Sequence, residues 1–456
     1  MPQLDGINLV STEQMKLTFI FLLGLSLQSV ANAASFDCSK ASTQVERLIC
    51  GDSALSKMDE VMAEAYRAAL RDKKSAGAVM RLQRQWVKER DSTCASAECV
   101  KLAYDKQLTL LKLPISTTEA GIPVIARSNH AATLLPTGKV LVVGGWQERR
   151  GYLDSAEIYD PASGRFSLTG KLVTHSRGSH FATLLPNGKV LVAGGEAPFE
   201  GNDPIGPLGS AELYDPLAGK FVETGGFLPF QYVQHGIGLA GSTTATLLAS
   251  GKVLYARLFM TDGGTAELYD PVTGRFSGTG NFVEGRFSHT ATLLPNGKVL
   301  FVGGKNNLMK NLSSAELYDP ATGTFKLTAS LSTARYGHTA TLLQNGKVLV
   351  AGGQTGDTPI ASAELYDPAT GRFTVTGQLL TMRVGHTATL LKNGKVLIAG
   401  GNGADGELVS LELYDPTTGI FTSAGRLIYA RTQLSATLLQ DGRVLFLGGA
   451  NAELYE

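Results

Sequence analysis

One octapeptide pattern, Leu-Leu-x-x-Gly-Lys-Val-Leu, recurs through the last three quarters of this 456-residue chain. Its glycine marks seven copies, the last with arginine in place of lysine: Gly138, Gly188, Gly251, Gly297, Gly346, Gly394 and Gly442. The steps between them are 50, 63, 46, 49, 48 and 48 residues. A period near 50 is typical of arrays in which each repeat is one unit that buries its apolar faces against its neighbours. The pattern therefore predicts a seven-unit array over residues 113–456.

Each unit predicts four short strands. In the fourth unit, His289–Leu294 leads through a Pro-Asn-Gly turn to Lys298–Gly304, and a variable loop then leads to Ala315–Pro320. An Ala-Thr-Gly turn precedes the last strand, around Phe325. Short β-rich runs separated by Asn-Gly turns are typical of sheet hairpins. A lone sheet of this size would expose its edges and its apolar faces, whereas radial stacking buries both faces.

The Gly-Gly pairs and Tyr-Asp-Pro segments of these units resemble the kelch motif of galactose-oxidase-like propellers. The resemblance covers about 340 residues and implies a mainly β fold, a kelch-type β-propeller of seven blades. The chain departs from the family pattern in the fourth strands, where many kelch repeats carry tryptophan and this chain carries phenylalanine: Phe166, Phe221, Phe276, Phe325, Phe373 and Phe421. This substitution changes the packing volume and leaves the predicted architecture unchanged.

The third unit is irregular. It has Thr243 where the neighbouring units have histidine, and Arg257-Leu258 where others have Gly-Gly, and the insertion 227–241 precedes it. Two interpretations remain open: a degenerate blade, which we favour, or an asymmetric functional side of the ring.

The two ends of the repeat region are complementary. The seventh unit ends at Glu456, one strand short of a blade, and residues 113–122 occupy the register that residues 166–172 hold before the second unit. We expect this N-terminal segment to supply the outer strand of the seventh blade and to close the ring, which would remove an exposed edge.

The N-terminus has the features of a secretion signal. Lys16 precedes an apolar run at residues 17–27, and Ala31-Asn32-Ala33 forms a small-x-small cleavage site before Ala34. The sequence predicts a signal peptide over 1–33 and leaves open whether Met1 or Met15 is the start. It predicts a bacterial periplasmic or secreted product without an integral membrane segment after cleavage, since the apolar run is shorter than a bilayer span requires.

Residues 34–112 predict a small α-helical domain. Apolar residues recur at three- and four-residue steps from Leu55 to Ala69, with Ser53 as the expected N-cap. The run Phe36-Asp37-Cys38-Ser39-Lys40-Ala41, followed by Ile49-Cys50, Gln85-Trp86, Cys94 and Cys99, resembles the LprI-type lysozyme inhibitors. This resemblance implies binding to lysozyme-like muramidases. The domain has 14 Lys plus Arg against 11 Asp plus Glu, a net charge of +3, whereas a basic lysozyme favours an acidic partner.

All four cysteines lie within this small domain. An even number in an exported domain predicts two disulfides, and three pairings are possible. We expect Cys38 with Cys50 and Cys94 with Cys99, because the members of each pair lie close together in sequence.

The sequence favours binding over catalysis. The chain has 41 Lys plus Arg against 40 Asp plus Glu, which gives no indication of nucleic acid as a partner. Residues 113–456 contain no cysteine, so the Tyr–Cys copper cofactor of galactose oxidase cannot form, and nucleophile, phosphate-loop and zinc motifs are absent. We predict no cofactor and no metal. The function predicted is recognition of a protein or glycan ligand, with lysozyme or cell-wall material among the candidates; the enzymatic alternative is a sugar mutarotase.

Binding is expected on the face where the variable loops lie. One arginine per regular blade stands three residues before the repeated histidine or its equivalent, as in kelch adaptors whose arginines grip acidic ligands: Arg127, Arg177, Arg286, Arg335, Arg383 and Arg431. An equally weighted alternative is that each arginine holds its own blade through backbone hydrogen bonds. The candidate aromatic platforms for a ligand are Trp146, Tyr152 and Tyr232.

Overall fold

The computed structural model describes residues 38–72, 75–198, 205–227, 243–257 and 264–456. The chain divides into two compact units, one ending at Ile115 and one spanning Ser116–Glu456. Ile115 packs against the helical core, so this division falls slightly after the expected boundary at residues 112 and 113. The predicted signal peptide lies outside the described residues. Within the described ranges, no helix is long and apolar enough to cross a bilayer.

The first unit is built from four α-helices after a short 3-10 turn at Cys38–Lys40, as far as the described residues go. The helices are α1 (Gln44–Gly51), α2 (Ser53–Ala69), α3 (Ala76–Thr93) and α4 (Ala97–Lys112). Thr43 and Glu46 form a capping box that begins α1. The N-cap of α2 is Asp52 and not Ser53 as expected, because the Asp52 carboxylate accepts the N–H groups of Ala54 and Leu55.

Two disulfides and one apolar cluster hold these helices together. The expected pairing is confirmed: Cys38 is bonded to Cys50, and Cys94 to Cys99. The core consists of the buried side chains Val45, Ile49, Leu55, Met62, Tyr66, Val79, Cys94, Val100, Tyr104 and Leu111. So small a core buries limited apolar area, and disulfides compensate for that in domains of this size.

The second unit consists of seven four-stranded antiparallel sheets in its described residues, so the predicted seven-bladed propeller is confirmed. The innermost strands are Ala131–Leu134, Phe181–Leu184, Thr244–Leu247, Thr290–Leu293, Thr339–Leu342, Thr387–Leu390 and Ser435–Leu438. The second strands are Val140–Val143, Val190–Ala193, Val253–Arg257, Val299–Val302, Val348–Ala351, Val396–Ala399 and Val444–Gly448. The third strands are Ala156–Asp160, Ala211–Asp215, Thr265–Asp270, Ala315–Asp319, Ala363–Asp367, Ser410–Asp415 and Asn451–Tyr455. The outer strands are Arg165–Leu168, Lys220–Thr224, Arg275–Asn281, Thr324–Leu327, Arg372–Val375, Ile420–Arg426 and Thr117–Glu119.

Blade stacking explains the apolar pattern of the strands. The second strands are continuous apolar runs, as expected for strands buried on both faces. Between blades 4 and 5, Leu300 and Val302 pack against Val348 and Tyr366. The Tyr366 hydroxyl also lies 3.0 Å from Thr328 Oγ1 of blade 4, so this interface combines apolar packing with a satisfied polar tip.

The predicted ring closure is confirmed. Thr117–Glu119 pairs antiparallel with Asn451–Tyr455 and forms the outer strand of the seventh blade. The Ala120 N–H donates to Ala452 O at 2.9 Å, and Thr117 Oγ1 donates to the buried Glu453 carboxylate at 2.5 Å. The last blade is therefore assembled from both ends of the unit.

The irregular third blade is a complete four-stranded sheet. In place of the missing histidine, Tyr255 from the second strand packs against Phe181 of blade 2 and stacks on Phe227 at 4.1 Å between ring centroids. A Cβ on Gly194 would lie 2.9 Å from the Tyr255 hydroxyl, so glycine is needed for this approach. These contacts support the interpretation as a degenerate blade. Most of the insertion at 227–241 lies outside the described residues.

Four of the loops between second and third strands form small hairpins on one face of the propeller. They are Trp146–Gln147 with Gly151–Tyr152, Glu196–Pro198 with Ile205–Pro207, Gln354–Thr355 with Thr358–Pro359, and Asn402–Gly403 with Gly406–Glu407. Because strand direction alternates within a blade, the connections between blades lie on this same face. We call it the loop face.

Candidate binding face

The six arginines predicted to grip a ligand are buried, with exposed fractions of 0 to 4 %. Arg335 is representative. Its guanidinium donates to Gly352 O at 3.0 Å, to Ser362 O at 2.8 Å and to the Glu364 carboxylate at 3.0 Å. Equivalent ion pairs occur in the other blades that carry the arginine: Arg127–Glu157, Arg177–Glu212, Arg286–Glu316, Arg383–Glu412 and Arg431–Glu453.

The glutamate partners hold the connections between blades. Glu412 lies in a third strand and is buried, and its carboxylate accepts the N–H groups of Leu380 at 2.7 Å and Thr381 at 3.0 Å. Arg383 donates to the same carboxylate at 2.6 Å. Each pair therefore fastens the incoming connection to its own blade. Because these contacts occupy the guanidinium group, they favour the alternative in which each arginine holds its own blade over the one in which it binds a ligand.

The repeated histidines form hydrogen bonds between neighbouring blades. His338 Nε2 lies 3.0 Å from Thr290 Oγ1 of the preceding blade, and the same contact recurs in three other interfaces: His130 with Ser435, His289 with Thr244, and His386 with Thr339. Burial and the neighbouring arginine lower the pKa of each of these four histidines to about 3. They are neutral at physiological pH and serve the interfaces. His180 has no such hydroxyl contact among the described residues, because the equivalent position of blade 1 is Ala131.

One position of the loop face, directly after the Gly-Gly pair or its equivalent, carries a different side chain in each described blade. We call the residues there the mouth residues; in five described blades they are Trp146, Glu196, Lys305, Gln354 and Asn402. Each forms a backbone bridge with the residue that follows the buried arginine: Ser128, Gly178, Phe287, Tyr336 and Val384. The N–H of each mouth residue donates across this bridge at 2.7 to 2.9 Å. The mouth residues therefore share one backbone arrangement but differ in their side chains. They lie close to the ends of the innermost strands.

Two of the three predicted aromatic platforms lie together at the blade 1 rim. Trp146 and Tyr152 are directly opposed in the rim hairpin of blade 1, and the Trp146 side chain is exposed. The Tyr152 phenol hydrogen-bonds to Glu196 of blade 2; burial, with the Glu196 carboxylate, raises the pKa of Tyr152 to about 12, so the phenol stays protonated. Ser179 also donates to Glu196, at 3.2 Å. Tyr232 lies outside the described residues.

In blades 4 and 6 the mouth residues make other kinds of contact. The Lys305 ammonium lies 3.8 Å from the centroid of the Tyr336 ring, a cation–π contact. The Asn402 side-chain amide donates to Thr432 Oγ1 of blade 7 at 3.5 Å. Sequence reasoning named Trp146 alone among the mouth residues as an individual binding residue, although the variable loops expected to carry recognition include those that begin at Trp146, Glu196 and Lys305. The other mouth residues could have been found by aligning the repeats, because they occupy one fixed position of the repeat at which the side chain differs from unit to unit.

The opposite face repeats the same polar pair from blade to blade. In the turns, one lysine and one aspartate lie 3.0 to 3.1 Å apart on partly exposed side chains: Lys139–Asp160, Lys189–Asp215, Lys252–Asp270, Lys298–Asp319, Lys347–Asp367 and Lys395–Asp415. Exposed pairs of this kind contribute little to stability. A face that presents the same pair in every blade offers a ligand no distinct groups to recognise. The loop face is therefore the better candidate for the binding site.

Family models match both units of the chain. Residues 37–117 match the family described as lysozyme inhibitor LprI, and residues 126–171 and 334–379 match the kelch motif. Lipoprotein LprI of Mycobacterium tuberculosis and of Mycobacterium bovis is 33 % identical over 94 residues, which are 20 % of this chain and 46 % of the relative. The chain thus spans about half the length of these curated relatives.

Solved structures resemble the propeller in fold alone. A fungal alcohol oxidase of the AA5 family in complex with copper has a TM-score of 0.57 at 16 % identity, over 73 % of this chain and 74 % of that one. YjhT has a TM-score of 0.50 at 14 % identity, over 67 % of this chain and 99 % of that one.

The described residues do not fit a copper centre like that oxidase's. Among them there is no group of three or more His, Cys, Asp or Glu side chains placed to hold a metal ion. The four interface histidines with hydroxyl partners are engaged in contacts between blades, and no cysteine lies in residues 113–456. This chain carries an LprI-like helical domain followed by a seven-bladed kelch-type β-propeller.

Proposed function

We propose that this chain is an exported, non-catalytic binding protein that recognises a glycan or protein ligand through the loop face of its propeller. The observation that carries the proposal is the set of mouth residues, where identical backbone bridges present different side chains. Rigid scaffolds with variable loops commonly recognise ligands in this way. Two disulfides in the helical domain suit an oxidising compartment.

Trp146→Ala is the first test of this proposal. An exposed tryptophan beside polar groups is the kind of residue that contributes most to recognition, so we expect ligand binding to weaken about tenfold, equivalent to about 1.4 kcal/mol. Ligands would come from a glycan array and from pull-downs with the mature chain, and affinities from titration calorimetry.

Leu217→Ala is the matched control, since Leu217 is 96 % exposed on a turn of the opposite face. It should bind as the unmodified protein does. If the two variants bind equally well, the ligand does not use the mouth, and the proposal for the loop face is wrong.

We also propose that the helical domain binds a lysozyme-type muramidase, which its similarity to the LprI family supports. Its net charge of +3 does not favour electrostatic attraction to a basic lysozyme. We therefore expect the full chain to slow lysozyme-catalysed clearing of cell-wall suspensions, with an effect that changes little between low and physiological salt. Unchanged clearing rates at saturating protein would refute this second proposal.

One observation keeps a sugar mutarotase as the alternative. Glu196 is a mouth carboxylate hydrogen-bonded by Ser179 and Tyr152, and acid–base exchange at a sugar's anomeric centre needs such a group. NMR measurement of anomeric exchange for common sugars, with Glu196→Gln beside the unmodified protein, separates catalysis from binding.

A further inference from the structure

The rim of the loop face has a gap at blade 7. Blades 1, 2, 5 and 6 raise hairpins there, and blade 4 raises an ordered loop in which Lys305 and Asn311 form a bridge. In blade 7 the second and third strands are joined directly, because Gly448 and Asn451 are already paired. Only Gly449 and Ala450 stand between them. Among the described rim loops, that of blade 7 is the shortest.

The mouth position of blade 7 also has the smallest side chain. Gly449 N–H donates to Arg127 O at 2.9 Å, just as Gly145 N–H donates to Arg177 O at 2.8 Å in blade 1. This equivalence assigns Ala450 to the position that Trp146 occupies in blade 1. Gly449, Ala450 and the neighbouring Gln433 are exposed. We call this low section of the rim, formed by Gln433, Gly449 and Ala450, the notch.

The two mouth positions beside the notch carry an amide and an aromatic ring, while the charged side chains Glu148, Arg149, Arg150, Asp405 and Glu407 lie further along the flanking hairpins. On the blade 6 side, Asn402 is hydrogen-bonded to Thr432, and on the blade 1 side Trp146 is exposed. The ionic groups beneath, Arg431 and Glu453, are buried and paired with each other at 2.8 Å. An exposed indole among uncharged amides and hydroxyls suits the apolar face and the hydroxyl groups of a sugar ring. A charged peptide or a nucleic acid would find no counter-ion on the notch floor.

We propose that the loop face binds a neutral polysaccharide whose chain leaves the mouth through the notch over blade 7. A sugar ring stacks on Trp146, and the next units of the chain pass over Gly449 and Ala450 toward the edge of the propeller. A rim of even height would suit a ligand that ends at the mouth, whereas a low section lets a polymer continue. This inference rests on the proposed binding function of the loop face and specifies its ligand class.

A hairpin graft tests the role of the notch. Ala450 is replaced by the eight residues of Gln354–Ala361, which supply the rim hairpin of blade 5 in an equivalent position. Binding is read by affinity electrophoresis in native gels containing hydroxyethyl cellulose, laminarin, dextran or galactomannan. We expect at least one polymer to retard the unmodified protein, and the graft to weaken that retardation at least tenfold. Di- and trisaccharides of the same sugar should bind both proteins equally.

Two further variants keep the test decisive. Ala450→Ser leaves the notch open and should behave as the unmodified protein, while Ala450→Trp fills it with a single side chain and should act like the graft even if the graft folds poorly. Unchanged polymer retardation in a folded Ala450→Trp variant would overturn the inference. So would a loop-face ligand that proves to be a protein. In both cases binding that depends on Trp146 would leave the proposed function standing, whereas binding insensitive to Trp146→Ala would remove the function itself.

Discussion

Replacing Arg335 by alanine is expected to lower the free energy of unfolding by about 3–5 kcal/mol, the usual effect of removing one partner from a buried ion pair. Arg335 is fully buried, and so is its partner Glu364, whose carboxylate would lose its charge partner. The carbonyl groups of Gly352 and Ser362 would lose their donors as well. A buried group left without a partner retains the full cost of its desolvation.

Chemical and thermal unfolding followed by circular dichroism measures this effect. Arg149→Ala is the matched control: Arg149 is exposed on the blade 1 hairpin, and its removal should change stability by less than about 0.5 kcal/mol. Ligand affinity of the folded Arg335→Ala protein should stay unchanged. The opposite result, normal stability with lost binding, would assign the arginines to a ligand site and contradict the structural interpretation.

The propeller could be predicted because the repeat records its own architecture. Seven copies of a turn between two apolar runs specify seven hairpins. The last unit has three strands instead of four, which indicated that residues 113–122 supply the fourth. The first unit was predictable for another reason: four cysteines in two local pairs and a 3.6-residue apolar period leave few arrangements.

The role of the arginines could not be settled from sequence. Arg335 and Glu364 are 29 residues apart, and the recurring Ala-Glu-Leu-Tyr segment resembles a strand with a solvated glutamate. Only blade stacking buries both faces of that strand, so the carboxylate must be paired inside. The sequence also does not predict that Tyr255 takes the place of the missing histidine. That role depends on the contact of Tyr255 in blade 3 with Phe181 in blade 2.

The mouth residues illustrate a further limit. A position that differs in every repeat looks uninformative when repeats are compared for what they share. Its meaning appears once the backbone bridges place Trp146, Glu196 and Lys305 at equivalent points around one axis. Variability within a rigid register is then the expected signature of recognition, because function depends on the loops that the scaffold positions.

Replacing Thr118 by proline is expected to open the ring at blade 7. Thr118 is paired with Leu454, and the neighbouring bond from Ala120 N–H to Ala452 O indicates that the Thr118 N–H also faces the third strand. Proline has no N–H and is poorly accommodated inside a paired strand. Detachment of this strand would also release the contact of Thr117 with the buried Glu453 carboxylate. We expect the free energy of unfolding to fall by an amount on the order of 3 kcal/mol.

Thr118→Ala is the matched control for the proline variant, because the Thr118 side chain is exposed while its backbone is paired. It should unfold within about 0.5 kcal/mol of the unmodified protein. Limited proteolysis adds a local measurement: residues 113–122 should become cleavable in the proline variant before the rest of the propeller, since an unpaired edge strand loses its protection. If the proline and alanine variants unfold together and resist protease equally, pairing between the two ends does not hold the ring closed, and the seventh blade must be stable as three strands.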